Sequence, residues 1–504
     1  MDTTTLGSIL STAMSAENFQ HMSNNFESSL LWALIVGAIL AFILGFGMGA
    51  NDVSNSFGTS VGSGVLSLRN AFLLACIFET LGAVLVGFNV TDTMRKGVVE
   101  VELYKDDPKT LELGQLAILG GCGSWLLIAT ALSLPVSTTH SLVGATLGMS
   151  LVARGFKGIV WMKILSIVIS WFASPIFSGT ISIILYLIVD HTVLRRKNSF
   201  WKGLRLLPVI YFVCISFNAF VVCFQGSKLL SLSEIPLWMA VVIALSCGLI
   251  AALGFHFIAR PYLIDWVNNR EPEKIGQFSP SLMIPATDIK NQNGISVITI
   301  SDDLPAKGKK KEKEDIGCGS RRLARSILPD SGRKDDEKTL RLFSAIQVFT
   351  ACFAGFAHGA NDVSNAIAPI AALYSIYQTK DVLQQNDTPI WTLLFGALAI
   401  CAGLCICGHR VIQTVGQKMS KITPASGFCI EFGAAVTVLL ASKVGIPVST
   451  THCLVGSVVA VGAVKPGDTV NWSLFRNIAL SWVVTLPISG LIAAGIMGLI
   501  TILA

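Results

Sequence analysis

Two carboxylates stand where an apolar chain can least easily carry them. Asp52 and Asp362 each lie inside the heptapeptide Gly-Ala-Asn-Asp-Val-Ser-Asn, at 49–55 and again at 359–365, embedded in long apolar runs. A charged side chain at the centre of a membrane helix costs about 2.5–3.5 kcal/mol on insertion scales, so each aspartate calls for a compensating charge. A bound cation would supply it. The amides of Asn51, Asn55, Asn361 and Asn365 and the hydroxyls of Ser54 and Ser364 add the hard oxygen donors that an alkali cation accepts. The preceding glycines would let backbone carbonyls turn toward the same point. The plainer alternative is that Asn and Asp cap broken helices.

A second duplicated text has the opposite character. Pro-Val-Ser-Thr-Thr-His occurs at 135–140 and 447–452, and each copy continues, after one variable residue, with Leu-Val-Gly. Proline ends one helix, and Ser-Thr-Thr can begin another with free backbone N–H groups at its N-terminus, which favours an anion. Ser137, Thr138, Thr139, Ser449, Thr450 and Thr451 would then hold an anion without a buried Arg or Lys, whose permanent charge would resist release. Cations beside Asp52 and Asp362 would provide the positive charge and couple the two binding events. Helix capping with close packing of small residues is the competing reading. His140 and His452 titrate in a range suited to proton relay, but bonding to backbone or orienting a motif residue is favoured for both. His358 precedes only the second heptapeptide, where Met48 precedes the first. It breaks the symmetry and is given less weight.

The elements that must position these residues are membrane helices. The 504 residues are 52% hydrophobic and 13% charged, against about 25% charged in soluble domains. A bilayer core needs roughly 20 apolar residues per helix, and apolar segments fall at 31–50, 71–88, 115–134, 139–153, 161–189, 207–224, 237–258, 343–374, 390–408, 426–442, 448–464 and 475–502. The first 30 residues do not look like a cleaved signal peptide. Ser170-Trp171 and Ser178-Gly179 have counterparts in Ser481-Trp482 and Ser489-Gly490, so three matches in order mark a duplication. The heptapeptides fall an odd number of spans apart and therefore run in opposite directions, which predicts a shared site near the bilayer midplane. The expected fold is an all-α polytopic membrane protein. It has about 12 transmembrane segments in two inverted-topology repeats, with broken or re-entrant helices at the motifs.

The expected organisation is an extracellular segment at 1–30, a first transmembrane half at 31–258, a flexible cytoplasmic loop at 259–341 and a second half at 342–504. The loop is rich in charge and poor in aromatics, as a solvated tether would be; a regulatory or lipid-binding tract is the alternative. Net charge is +6, and its placement orients the chain. Arg195, Arg196, Lys197, Lys202 and Arg205 in one short loop, and Arg410, Lys418 and Lys421 in another, belong inside. Both termini are then outside. The sequons at Asn89 and Asn386 fall outside on this count and are glycosylation candidates, whereas Asn471 falls inside. The 12 cysteines lie mostly in apolar runs and read as core packing, without a disulfide framework.

With both duplicated motifs in place, the chain resembles the inorganic phosphate transporter family, PiT, and more closely its animal sodium-dependent branch. The connecting text Ile77-Phe-Glu-Thr80, Phe356-Ala-His-Gly359 and Ser426-Gly-Phe-Cys-Ile-Glu431 carries the same resemblance, which covers both apolar halves and excludes the polar loop. It implies sodium-coupled import of inorganic phosphate at the plasma membrane. Phosphate would lie on the Ser-Thr-Thr turns and sodium on the heptapeptides, with the lipid bilayer as medium and a homodimer as an admissible assembly. It also gives Glu79 and Glu431 a transport role, against a buried structural hydrogen bond; the two do not correspond within the repeat.

Proton-coupled uptake of phosphate or a metal phosphate is the nearest alternative, and a phosphate-sensing membrane receptor is a more distant one. An enzyme is not expected. The chain has no Gly-x-x-x-x-Gly-Lys-Ser/Thr loop, no nucleophile–base pair with an orienting group and no nucleic-acid motif. No cofactor is implied beyond sodium as coupling ion.

Overall fold

A computed structural model describes residues 3–96, 99–224, 235–269, 328–329, 333–379, 382–384, 386–416, 418–467 and 470–503, with side chains considered from residue 31 onward. Among the described residues, fifteen α-helices follow one another: α1 (Thr3–Gly62), α2 (Leu68–Val86), α3 (Phe88–Lys96), α4 (Pro108–Ala131), α5 (Thr138–Arg154), α6 (Trp161–Val189), α7 (Ser199–Cys223), α8 (Leu237–Gly254), α9 (Arg260–Asn269), α10 (Glu337–Thr379), α11 (Ile390–Cys407), α12 (His409–Gly416), α13 (Pro424–Lys443), α14 (Thr450–Val464) and α15 (Trp472–Leu503). Among the described residues, 10 helices are long and apolar enough to cross a membrane. The segments expected as spans at 139–153 and 448–464 are the short helices α5 and α14, of 17 and 15 residues. Among the described residues, the twelve apolar segments thus correspond to ten long helices and two short ones that begin at the Ser-Thr-Thr turns, and ten rather than twelve are long enough to span.

The helices are patterned with large apolar side chains outward and small polar ones inward. In α6 Ser170, Ser174, Ser178 and Ser182 are buried at every fourth position, while Phe172 and Ile176 are exposed. In α15 Ser481, Thr485 and Ser489 are buried likewise, and Val483 and Leu491 are exposed. Lipid tails are as apolar as leucine, so helix association in a bilayer relies on small residues and interhelical hydrogen bonds. Ser178 Oγ accordingly donates to the Cys453 carbonyl on α14 at 2.8 Å, and Ser182 Oγ to Ser457 Oγ at 2.9 Å.

Two helices form the axis of the molecule. Gly37 packs on Leu373, Phe57 packs on Gly355, and Ser63 Oγ donates to Gln347 Oε1 at 2.9 Å. Positions that rise along α1 meet positions that fall along α10, so the two heptapeptide helices run antiparallel. Each heptapeptide glycine then admits a neighbour. A Cβ on Gly49 would lie 1.9 Å from the Ile400 carbonyl oxygen of α11, and one on Gly359 would lie 1.9 Å from the Glu79 carbonyl oxygen of α2.

These contacts correct one expectation. The heptapeptides do not break their helices: α1 runs unbroken to Gly62 and α10 to Thr379. Their glycines serve helix–helix approach rather than turning carbonyls toward an ion, and their Asn and Asp residues are mid-helix rather than caps. Of the two duplicated texts, it is the Pro-Val-Ser-Thr-Thr-His motif that coincides with a break between helices. There α4 ends at Ala131 with Ser133 at φ 56°, and α13 ends at Lys443 with Gly445 at φ +66°.

Helix also extends beyond the apolar segments. The first helix reaches back to Thr3, and α9 and α10 carry helix to Asn269 and from Glu337, into the loop expected at 259–341. Residues 270–327 of that loop lie outside the described residues.

Candidate ion and anion site

Mid-helix placement puts Asp52 and Asn55 on one face of α1, and Asp362 and Asn365 on one face of α10, because residues three apart are neighbours on a helix. Asn55 Nδ2 donates to Asp52 Oδ1 at 3.3 Å, and Asn365 Nδ2 to Asp362 Oδ1 at 3.1 Å. The same two amides reach across the molecule. Asn55 bonds Thr451 Oγ1 at 2.8 Å and Thr450 Oγ1 at 3.3 Å; Asn365 bonds Thr139 Oγ1 at 3.2 Å and Thr138 Oγ1 at 3.5 Å. Each heptapeptide therefore serves the Ser-Thr-Thr turn of the other copy. Thr138 Oγ1 adds a bond to Asp362 Oδ1 at 2.9 Å.

The turns are helix N-termini. Ser137 and Ser449 are N-caps whose hydroxyls accept from His140 N at 3.3 Å and His452 N at 3.2 Å, an arrangement that satisfies one otherwise unpaired donor of the first turn. The turns also brace each other, since Thr139 Oγ1 donates to the Val448 carbonyl at 3.2 Å and Thr451 Oγ1 to the Val136 carbonyl at 3.3 Å. Behind them His140 and His452 meet edge to face at 4.5 Å. Each ring stacks on the Trp of its own copy, Trp171 or Trp482, and turns Nδ1 to the carbonyl of the other copy's Trp, at 3.3 Å for His140 and 3.0 Å for His452.

Not every expected ligand faces the centre. Asn51 spans the chain break before α5, donating to the Leu134 carbonyl at 2.9 Å and accepting from Val136 N at 3.0 Å. Asn361 donates to the Val448 carbonyl at 2.9 Å. Ser54 Oγ bonds the Asn51 carbonyl at 3.4 Å, and Ser364 Oγ bonds the Gly87 carbonyl at 2.7 Å where α2 meets α3. These four hold backbone, and Asn361 Nδ2 also donates to Asp362 Oδ2 at 3.4 Å. The atoms turned inward are Asn55, Asn365, Asp52 and Asp362.

The two glutamates lie further along the α1–α10 seam. Glu79 accepts from Ser56 Oγ at 3.1 Å, and His358 Nδ1 is 3.3 Å from it. Glu431 accepts from Thr59, Ser60 and Thr350, each at 2.6 Å, and from Gln347 at 3.3 Å. His358, given little weight from sequence, is central: its Nε2 is 3.6 Å from Asp362 Oδ2 and 4.0 Å from Asp52 Oδ2. The supporting hydroxyls were missed because they stand outside the duplicated motifs. Their signal is helical spacing, with Asp52, Ser56, Ser60 and Ser63 recurring at three- or four-residue intervals along α1.

Around the two aspartates, Asp52 Oδ2, Asn55 Oδ1, Asn365 Oδ1, Glu79 Oε2 and both ring nitrogens of His358 are buried without a hydrogen-bond partner. Two of the oxygens belong to carboxyl groups, which only accept when ionised, and two to amides, whose oxygens only accept. Clustered buried acceptors without donors are unfavourable unless a cation or a protonated ligand meets them.

Of the glycosylation candidates, Asn386 is exposed, its carbonyl accepts from Arg95 at 2.7 Å, and Thr388 of its sequon donates to Asp92 at 3.3 Å. The Asn89 side chain lies outside the described residues.

A deeply buried, polar, two-sided site between antiparallel membrane helices defines a membrane transporter, and sequence comparison places it. The phosphate transporter family profile matches residues 48–493, and the chain belongs to that family. It is 36% identical to sodium-dependent phosphate transporter 1-A of Danio rerio, over 99% of each chain. It is 33% identical to sodium-dependent phosphate transporter 1 of Homo sapiens, over 93% of this chain and 96% of the other. A solved structure titled "The sodium-dependent phosphate transporter" superposes with a TM-score of 0.75 at 31% identity, covering 94% of this chain and 100% of that one.

Proposed function

We propose that the protein is a sodium-coupled symporter that imports inorganic phosphate by alternating access. The observation that carries this reading is the crossed pairing of Asn55 with Thr451 and of Asn365 with Thr139. It ties each carboxylate-bearing helix to the anion-binding turn of the other copy, so a cation at either aspartate and an anion at the turns share one bonding network. The anion would lie among Ser137, Thr138, Thr139, Ser449, Thr450 and Thr451, and sodium beside Asp52 and Asp362, with the Asn55 and Asn365 amides between. Asn51, Asn361, Ser54 and Ser364 support this site through the backbone they hold. His140 and His452 orient the turns. Glu79 and Glu431 position the α1–α10 seam.

The charges set the coupling. Two aspartates repel a phosphate anion at close range, and sodium at each removes that repulsion and supplies the missing attraction. Antiparallel α1 and α10 present the same site to opposite faces of the bilayer, as inverted repeats do. The protein would reside in the plasma membrane with both termini outside, Asn89 and Asn386 on the glycosylated side and the central loop in the cytoplasm. A homodimer is the assembly to test by cross-linking.

His358 among three carboxylates favours a second reading, in which a proton replaces one sodium. Radiolabelled phosphate uptake into proteoliposomes separates the two. Uptake should follow an imposed sodium gradient, and Asp52→Asn or Asp362→Asn should abolish it; equal uptake from choline medium without a pH gradient would refute sodium coupling.

A further inference from the structure

We propose that Asp52, His358 and Asp362 form a binding site for a single divalent transition-metal cation such as zinc. One ligand atom from each lies within 4.8 Å of the other two, and all three residues are buried. His358 Nε2 stands 3.6 Å from Asp362 Oδ2 and 4.0 Å from Asp52 Oδ2. With bonds of about 2.0–2.1 Å, tetrahedral zinc holds neighbouring ligand atoms about 3.3 Å apart, so the ligand atoms must draw together by about 0.3–1.5 Å, a shift within reach of side-chain rotation. The ligand atoms are already presented. Asn55 holds Asp52 by Oδ1, and Thr138 and Asn365 hold Asp362 by Oδ1, turning both Oδ2 atoms toward the imidazole, with Asn361 Nδ2 donating to Asp362 Oδ2 at 3.4 Å.

Two observations point to a ligand independently of the acidic cluster. Asp52 Oδ2 and His358 Nε2 have no hydrogen-bond partner although His358 is only 2% exposed. On the far side of the ring Glu79 Oε1 lies 3.3 Å from Nδ1 without yet bonding it, so a small turn of the ring would give the carboxylate–histidine–metal arrangement that fixes ring orientation and raises ligand basicity. Imidazole nitrogen suits zinc, cobalt, nickel or copper, whereas sodium takes oxygen. Two carboxylates neutralise the ion, and three protein ligands leave one position open. Met48 stands where His358 would fall in the first copy, so the first heptapeptide does not repeat this site.

The binding itself needs no transport. Its consequence, that zinc at the Asp52–Asp362 pair excludes sodium and blocks uptake, rests on the symport reading. The test is cobalt(II) titration of the full chain in nanodiscs in sodium-free choline buffer, read by visible absorption. The wild type should bind one ion per chain with the intensity of a tetrahedral centre. His358→Met should weaken binding at least about 100-fold, and Glu79→Gln by about 10–100-fold. Added sodium should raise the apparent Kd. Where His358→Met lacks the wild-type melting transition, Asp52→Asn takes its place with the same expectation. Binding by the wild type no tighter than by these variants overturns the proposal. Because this readout is independent of flux, a failed titration leaves the symport reading intact, and absent sodium-dependent uptake leaves the titration interpretable.

Discussion

Asn55 Nδ2 lies 2.8 Å from Thr451 Oγ1, joining residues almost four hundred positions apart in the chain and belonging to opposite copies of a duplicated unit. Its counterpart is Asn365 with Thr139 at 3.2 Å. The repeats are thus interlocked, each supplying half of both corners. Asn55→Ala and Asn365→Ala should therefore lower phosphate uptake to a similar extent, by about tenfold or more, since each removes the amide donor shared by a buried aspartate and a buried threonine, at a cost of about 1–3 kcal/mol. Unequal losses in proteoliposome flux, one variant near wild type and the other inactive, would show that only one corner matters.

The same pairing allows a coupling measurement. Asn55→Ala and Thr451→Val, alone and combined, should show an interaction energy of about 0.5–3 kcal/mol in the uptake rate. Strict additivity would mean that the contact carries no transport energy.

Gly49→Ala and Gly359→Ala should each destabilise the fold by about 1–3 kcal/mol, because each added methyl would meet a backbone oxygen at 1.9 Å. Thermal unfolding in detergent measures this. A melting temperature equal to wild type would show that α11 and α2 can move aside freely.

Glu431 accepts from four donors, so its shape matters as well as its charge. Glu431→Ala should lose more stability than Glu431→Gln, by about 1–3 kcal/mol, because it strands all four donors at once. Melting curves of the two variants side by side give the answer, and the reverse order would count against a structural hydrogen-bond role.

At the entry to α4, burial pushes the Asp107 carboxyl up, but bonds from the Thr110 side chain and backbone and the Arg154 guanidinium outweigh it and hold the group below the ordinary carboxylate range. A depressed carboxyl adds stability above its unfolded pKa, about 3.9, and loses it as pH falls through the folded value. Wild type should melt above Asp107→Asn at neutral pH, and the gap should close as pH falls below about 4. A gap that persists unchanged in acid would contradict the assignment.

The duplication, the antiparallel sense of the two heptapeptides and the helix starts at Ser137 and Ser449 were legible because motif order, span parity and proline chemistry are local properties. The unbroken course of α1 and α10 was not. Gly49 and Gly359 read as flexible hinges in isolation, and only the apposed backbones of Ile400 and Glu79 reveal them as contact points. His358 was discounted for lacking a partner in the first copy, yet its position depends on three carboxylates from three helices, which no linear spacing records. Asn51 and Ser364 read as ligands by type, while their bonds go to backbone of Val136 and Gly87.

The most direct test of the central claim is a structure determined in sodium and phosphate at a resolution that separates ions. The account predicts phosphate between residues 137–139 and 449–451, with cations beside Asp52 and Asp362; phosphate bound in the central loop or an outer vestibule, with this site filled by water alone, would contradict it.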